Sequence, residues 1–216
     1  IVPAVIGFGA TGHGNYIVSL IEGLRGEGYV PDMNLISRYK KHLADEQKRL
    51  FPNGMPPFSI TPPARADEFI PTAEELAAQV LDNDIALITI GRTSGEGADR
   101  NEKEFYLTDN ERKLIDEVSS AYHKAGKKVV VLLNVCSSVE TASWRSIVDA
   151  VVCTFQPGQE TGNSIADVLS GKVNPSGKLP MTWAMNYGDA AADANFPADY
   201  VFDMSSFYKA HANFNN

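Results

Sequence analysis

The run Ile85-Ala86-Leu87-Ile88-Thr89-Ile90, followed by Gly91-Arg92, decides the fold. A half-buried strand alternates apolar with polar residues, whereas a run this apolar reads as a strand covered on both faces, as in a parallel sheet. Two further runs follow, Val129-Val130-Val131-Leu132-Leu133 and Ala150 to Phe155, and the segments between them have helical period. Thr72 caps a helix through about Asp82, and Thr108 with Glu111 forms a capping box for a helix to about Ala125, stopped by Gly126. Strands and helices in this order predict an α/β three-layer sandwich, with a mostly parallel central sheet flanked by helices.

Working outward, Val5-Ile6 reads as a first strand that Pro3 confines to an edge or to its start. From Asn15 to Arg25 the spacing of Ile17, Leu20, Ile21 and Leu24 gives an amphipathic helix, with Gly26 and Gly28 to stop it. A mostly charged helix from about Ser37 to Leu50 belongs at the surface. From Phe51 to Pro71 the chain carries Pro52, Pro56, Pro57, Pro62, Pro63 and Pro71, which makes 51–71 a long surface loop. A short helix near Val139 to Ile147 and a last helix from about Glu160 to Leu169, ended by Gly171, complete the pattern. Residues 1–216 are read as one domain.

Hydrophobic content of 44% with 21% charged residues is that of an ordinary globular chain. A formal charge of −8 without any basic block argues against nucleic acid or an anionic membrane as partner. The two cysteines, Cys136 and Cys153, sit in or beside apolar segments, which favours free thiols and leaves their pairing open. No membrane span or signal peptide is apparent, so a soluble chain is expected, cytoplasmic in preference to secreted. It begins Ile1-Val2-Pro3 as if cut from a larger parent.

In open α/β sheets the ligand crevice lies beyond the carboxyl ends of the strands, which selects the loops after Ile90, Leu133 and Phe155. The first of these is the most unusual: Gly91-Arg92-Thr93-Ser94-Gly95-Glu96-Gly97-Ala98-Asp99-Arg100. Glu96 stands between Gly95 and Gly97, so the backbone can bend sharply and push its carboxylate outward. An exposed loop glutamate is the bland alternative, of about equal weight on spacing alone. Asp99-Arg100 reads as an ion pair or hydrogen-bond clamp that structures the loop. Glu160, in the first turn of its helix, is accounted for by the helix dipole. Trp144 and Trp183 read as packing residues before sugar platforms.

The segment Ser94 to Arg100, with Phe105-Tyr106-Leu107, Val129 to Asn134, Pro157-Gly158-Gln159-Glu160, Ile165 to Leu169 and Asn174-Pro175-Ser176-Gly177-Lys178-Leu179-Pro180, resembles the second domain of family 3 β-glucosidases. The likeness is close over about residues 84 to 183 and loose over residues 1 to 50. It implies a retaining glycosidase in which a separate barrel domain supplies an aspartate nucleophile and this domain supplies the acid/base glutamate, here Glu96. No cofactor or metal is implied. The partners are a β-linked sugar and the barrel, whose Ser-Asp-Trp-like segment has no counterpart here. Lys41-His42 superficially resembles a sugar-binding Lys-His pair of the barrel but lies in a polar helix. In place of a Gly-Ser-Gly-Asp-like loop stands Gly12-His13-Gly14-Asn15. His13 can donate to a sugar hydroxyl or to Glu96, although a lone histidine in a glycine loop is more often merely exposed. Protonated and close to Glu96, it would lower the carboxyl pKa and oppose the acid role.

Two other readings come from different classes. One is a non-catalytic domain for carbohydrate binding or assembly. The other is dinucleotide binding, since Gly7-Phe8-Gly9-Ala10-Thr11-Gly12 spells G-x-G-x-x-G, with Glu27 or Asp32 as the ribose acid. That fingerprint needs a second strand ending in the acid, and Gly28-Tyr29-Val30-Pro31 is too short an apolar run to be one.

Overall fold

A computed structural model describes residues 16–54, 65–92 and 100–190 of the chain. Its sheet, among the described residues, has three parallel strands in the order β1 (Ile85–Gly91), β2 (Lys128–Asn134), β3 (Ala150–Cys153). The register pairs Ile85 with Lys128 through Gly91 with Asn134, and Val130 with Ala150 through Leu133 with Cys153.

Alternate residues of β2 enter two different cores, and this makes the molecule a three-layer sandwich. Val129, Val131 and Leu133 point with Ala86, Ile88 and Ile90 of β1 to one face. There α3 (Ala73–Asp82) supplies Leu76, and α5 (Asp109–Lys124) supplies Leu114, Ile115, Val118 and Tyr122. Val130 and Leu132 point to the other face, against Leu20 and Leu24 of α1 (Leu20–Gly26) and Ile165 and Ala166 of α6 (Thr161–Leu169). Every apolar residue of β2 is therefore buried, which is why its sequence shows no alternation. β3 is more exposed, ends at Cys153 and does not reach Phe155, contrary to the apolar run that predicted it.

The two helices of the second face cross backbone to backbone. A Cβ on Gly23 would lie 2.1 Å from the Gly162 carbonyl oxygen, and one on Gly162 would lie 2.0 Å from the Ser19 carbonyl oxygen. Only glycine fits at either position.

Several boundaries differ from expectation. α1 begins at Leu20 and not at Asn15, because Ser19 and Glu22 form a reciprocal capping box. The charged helix α2 (Met33–Leu50) begins before Ser37, where the Asp32 carboxylate accepts from the amides of Asn34 and Leu35. As expected, α2 adds nothing to the buried core. It is tied instead to the extended segment that follows the proline-rich stretch: Tyr39 donates to the Phe69 carbonyl, His42 bonds the Asp67 carbonyl, and Glu46 accepts from the Asp67 amide. The helix expected at 139–147 is only a single 3-10 turn, Arg145–Ile147, since the Glu140 carboxylate takes the Ser143 amide in a local turn. A four-residue helix not expected from the sequence, α4 (Glu102–Phe105), is capped by Asn101 and Glu104. Of the 51–71 loop, residues 55–64 lie outside the described residues, as does the strand expected at Val5-Ile6. Trp144 is fully buried, with its indole nitrogen donating to the Glu140 carbonyl, and Trp183 packs against the first core.

Candidate active site

The carboxyl ends of β1, β2 and β3 lie along one edge of the sandwich, and the structure there is built around arginines. β1 ends at Gly91, and the Arg92 amide extends the ladder by one bond to the Asn134 carbonyl, at 3.0 Å. The Arg92 side chain then turns inward and is 3% exposed. All five of its N–H donors are used. Nε donates to the Glu104 carbonyl at 3.0 Å, Nη1 to the Gly91 carbonyl at 2.8 Å and Glu111 Oε1 at 2.6 Å, and Nη2 to the Tyr106 carbonyl at 3.1 Å and Glu111 Oε2 at 2.9 Å.

Glu111 serves two structures at once. Its carboxylate accepts from the Thr108 amide at 2.7 Å, which closes the capping box of α5, and it receives both nitrogens of the Arg92 fork. Burial alone would raise its pKa; the Arg92 hydrogen bonds and charge and the Thr108 amide outweigh burial and hold it below the ordinary value. Arg65 adds a second cation, 3.5 Å from Glu111.

Arg100 marks the far root of the same loop. Its Nη2 donates to the Glu104 carbonyl at 2.8 Å and its Nη1 to the Ser138 carbonyl, in the loop after β2, at 3.0 Å. Both roots of the loop thus close on one acceptor, the Glu104 carbonyl. That acceptor is available because a short helix leaves its last carbonyls without partners inside the helix.

On the far side of the sheet, Phe155 takes φ 50°, an unusual conformation for a bulky residue, just after β3. Its neighbour Thr154 donates from both amide and hydroxyl to the Leu133 carbonyl at 3.0 Å. The loop continues to Gln159, whose side chain donates to the Tyr16 carbonyl at 3.0 Å and whose carbonyl accepts from the Val18 amide at 2.8 Å. Glu160 accepts from the Tyr16 hydroxyl and from Asn163, and makes no capping bond to its own helix. Its tie across the chain, and not the dipole alone, accounts for it.

Of the residues singled out in the sequence, Arg100 is placed in this framework, whereas Gly95, Glu96, Gly97, Asp99 and His13 lie outside the described residues. The framework brings together the two roots of the 93–99 segment, whereas the Tyr16 to Val18 stretch is tied separately to Gln159, in the loop after β3. Arg92, Glu104 and Glu111 were not recognised as a unit in the sequence, though the capping box at Thr108 was visible there.

Among the described residues no group of three or more His, Cys, Asp or Glu side chains is arranged to hold a metal ion. Cys136 and Cys153 are free thiols. Neither candidate ribose acid stands free: Asp32 caps α2, and Glu27 pairs with Lys172 at 2.9 Å. The G-x-G-x-x-G segment itself lies outside the described residues. A groove of about 380 Å³ between α3 and α5, lined by Ala77, Val80, Leu81, Ala121, Lys124 and Ala125, opens where both helices end. Those ends lead into the starts of β1 and β2, so the groove is at the opposite end of the sheet and offers no carboxylate. No helix among the described residues is long and apolar enough to cross a membrane.

The fold and this edge of the sheet define a class. The glycosyl hydrolase family 3 C-terminal domain matches residues 3–212, and the chain belongs to that family. The match covers residues 7–12, so the G-x-G-x-x-G spacing occurs here within a hydrolase family. Among solved structures, β-glucosidase 3B from Thermotoga neapolitana in complex with glucose is similar, with a TM-score of 0.79 and 39% identity over 89% of this chain and 27% of that one. β-Glucosidase A of Butyrivibrio fibrisolvens is 30% identical over 231 residues, 92% of this chain and 26% of that protein. β-Glucosidase B of Emericella nidulans is 41% identical over 121 residues, 55% of this chain and 14% of that protein. The chain therefore spans about a quarter of the length of the Thermotoga and Butyrivibrio enzymes.

Proposed function

We propose that residues 1–216 form one sandwich domain of a retaining β-glucosidase, and that Glu96 is its general acid/base. The observation that carries this reading is the shared Glu104 carbonyl: the segment bearing Glu96 leaves the carboxyl end of β1 at a fully bonded Arg92 and returns at Arg100, both anchored on one oxygen. Such a root fixes where the segment starts and ends, which a positioned proton donor requires. Gly95 and Gly97 bring no side chain beside that of Glu96, and in this reading Asp99 with Arg100 serves to structure the return and His13 to offer a donor toward the sugar. The β-glucosidase names of the relatives supply the substrate class.

The nucleophile comes from a separate barrel domain. In the first step its carboxylate attacks the anomeric carbon while Glu96 passes its proton to the glycosidic oxygen, and the aglycone leaves as an alcohol. In the second step the Glu96 carboxylate takes a proton from water, whose oxygen displaces the enzyme carboxylate from the sugar with net retention. This geometry requires the two carboxyl groups to be about 5 to 5.5 Å apart. Donation at neutral pH requires a raised pKa, which burial against the barrel and a neighbouring carboxylate provide on docking.

The test is leaving-group dependence in the complete enzyme. Glu96→Ala is expected to slow glucosides with poor leaving groups far more than activated aryl glucosides, with azide restoring part of the loss on the latter. Equal loss on both, without rescue, would assign Glu96 a structural role.

A further inference from the structure

We infer that Tyr187, on the arm that follows the last helix, is a positioning residue for the acid/base segment; the inference rests on the reading of Glu96 given above. Arg100 is held by its side chain through the Ser138 and Glu104 carbonyls, but its own main-chain carbonyl is held separately. That carbonyl accepts from the Tyr187 hydroxyl at 3.3 Å. The peptide concerned joins Arg100 to Asn101, the cap of α4, so the bond acts on the link between the acid/base segment and the helix that anchors it.

Tyr187 is itself held in place by neighbours. Its amide donates to the Tyr106 hydroxyl at 3.1 Å, and its ring meets that of buried Phe105 edge-on with centroids 5.9 Å apart. The turn that presents it is closed locally, where the Asn186 amide donates to the Asp189 carboxylate at 2.8 Å. Four residues earlier in the same arm, Trp183 packs on the first core. The arm is thus moored at Trp183 and braces Arg100 through Tyr187, while Phe105 and Tyr106 belong to the stretch whose carbonyls hold Arg92. Three separate stretches of chain, at Glu104, Ser138 and Tyr187, converge on Arg100.

Tyr187→Phe deletes the hydroxyl and keeps the ring against Phe105, so folding is expected to be unaffected. In the complete enzyme we expect kcat on a glucoside with a poor leaving group to fall about fivefold, the value of one neutral hydrogen bond, with KM and activity on an activated aryl glucoside little changed. Glu96→Ala and the double variant are measured alongside. If Tyr187 acts through the acid/base segment, adding Tyr187→Phe to Glu96→Ala causes no further loss. Additive losses, equal loss on both substrates, or wild-type kinetics for Tyr187→Phe beside a discriminating Glu96→Ala would overturn this inference alone. A Glu96→Ala variant that fails to discriminate between the substrates would overturn the acid/base reading, and this inference with it.

Discussion

Arg92 and Glu111, nineteen residues apart in the chain, meet as a two-pronged ion pair with bonds of 2.6 and 2.9 Å, and each side chain is 2% exposed. The pair joins the end of β1 to the start of α5, so the strand that leads into the candidate site and the helix that covers it share one electrostatic bond. Removing one partner leaves the other charged and buried, which typically costs about 3 to 5 kcal/mol. Arg92→Ala is expected to be the more damaging single change, because it also strips donors from the Glu104 and Tyr106 carbonyls. By thermal unfolding the loss should read as roughly ten degrees for a domain of this size. Arg92→Met with Glu111→Met should cost less than the sum of the two single changes, since neither then leaves a lone charge. Strict additivity would show that the two groups are not coupled.

The same pair sets a pH dependence. The pKa of Glu111 is lower in the folded chain than the ordinary carboxylate value of 4.5, so between the two values the unfolded state holds the extra proton. Stability from this group is therefore complete above the unfolded pKa and is lost as pH falls through the folded one. Asp149 acts in the same direction, its carboxyl lowered by Lys128, the Val129 amide and His123, though it is too exposed for much energy to be assigned to it. Denaturant titrations from pH 7 down to pH 3 should show stability falling on the acid side. Glu111→Gln should flatten part of that fall, and an unchanged slope in the variant would exclude Glu111 as its source.

The proposed division of labour between two domains predicts that this chain alone turns over an aryl β-glucoside no faster than buffer, because in that reading it supplies the proton donor but not the nucleophile. A sensitive fluorogenic assay on pure protein tests it; turnover that survives further purification would place a complete active centre within these 216 residues.

The sandwich was legible because β2 is apolar at every interior position and β1 nearly so, a pattern produced by cover on both faces. Capping chemistry located α3 and α5 almost to the residue, for Thr72 with Glu75 and Thr108 with Glu111 are reciprocal boxes. The same signature was present at Ser19 with Glu22 and at Asn101 with Glu104, yet the apolar spacing of Ile17 outweighed the first and the shortness of α4 hid the second. The loop after β1 stood out through its glycines. Its anchors were legible only in part: Arg100 stood beside Asp99 as a clamp, but its acceptors, like three of the five acceptors of Arg92, are main-chain carbonyls, and every residue has one. Glu160 illustrates the same limit: its place in a first turn pointed to the dipole, while its partner Tyr16 is 144 residues away.

Gly23 and Gly162 had no such signal either, since neither marks a turn, and they give the sharpest packing test. An alanine methyl at Gly162 would sit 2.0 Å from the Ser19 carbonyl oxygen and one at Gly23 2.1 Å from that of Gly162, and both obstacles are backbone. Relief requires α1 and α6 to separate, which draws Leu20, Leu24 and Ile165 away from Val130 and Leu132. Overpacking of this kind costs about 1 to 3 kcal/mol or more, so each alanine variant should unfold at distinctly lower denaturant with an unchanged slope. Gly26 is the control: it ends the same helix, does not have positive φ, and a Cβ there meets nothing within 4 Å. Gly26→Ala should be neutral or stabilising by up to about 1 kcal/mol, because alanine restricts the unfolded chain. If Gly162→Ala and Gly26→Ala behaved alike, the close crossing of α1 and α6 would be refuted, and with it the route by which Gln159 ties the amino-terminal stretch to the carboxyl edge of the sheet.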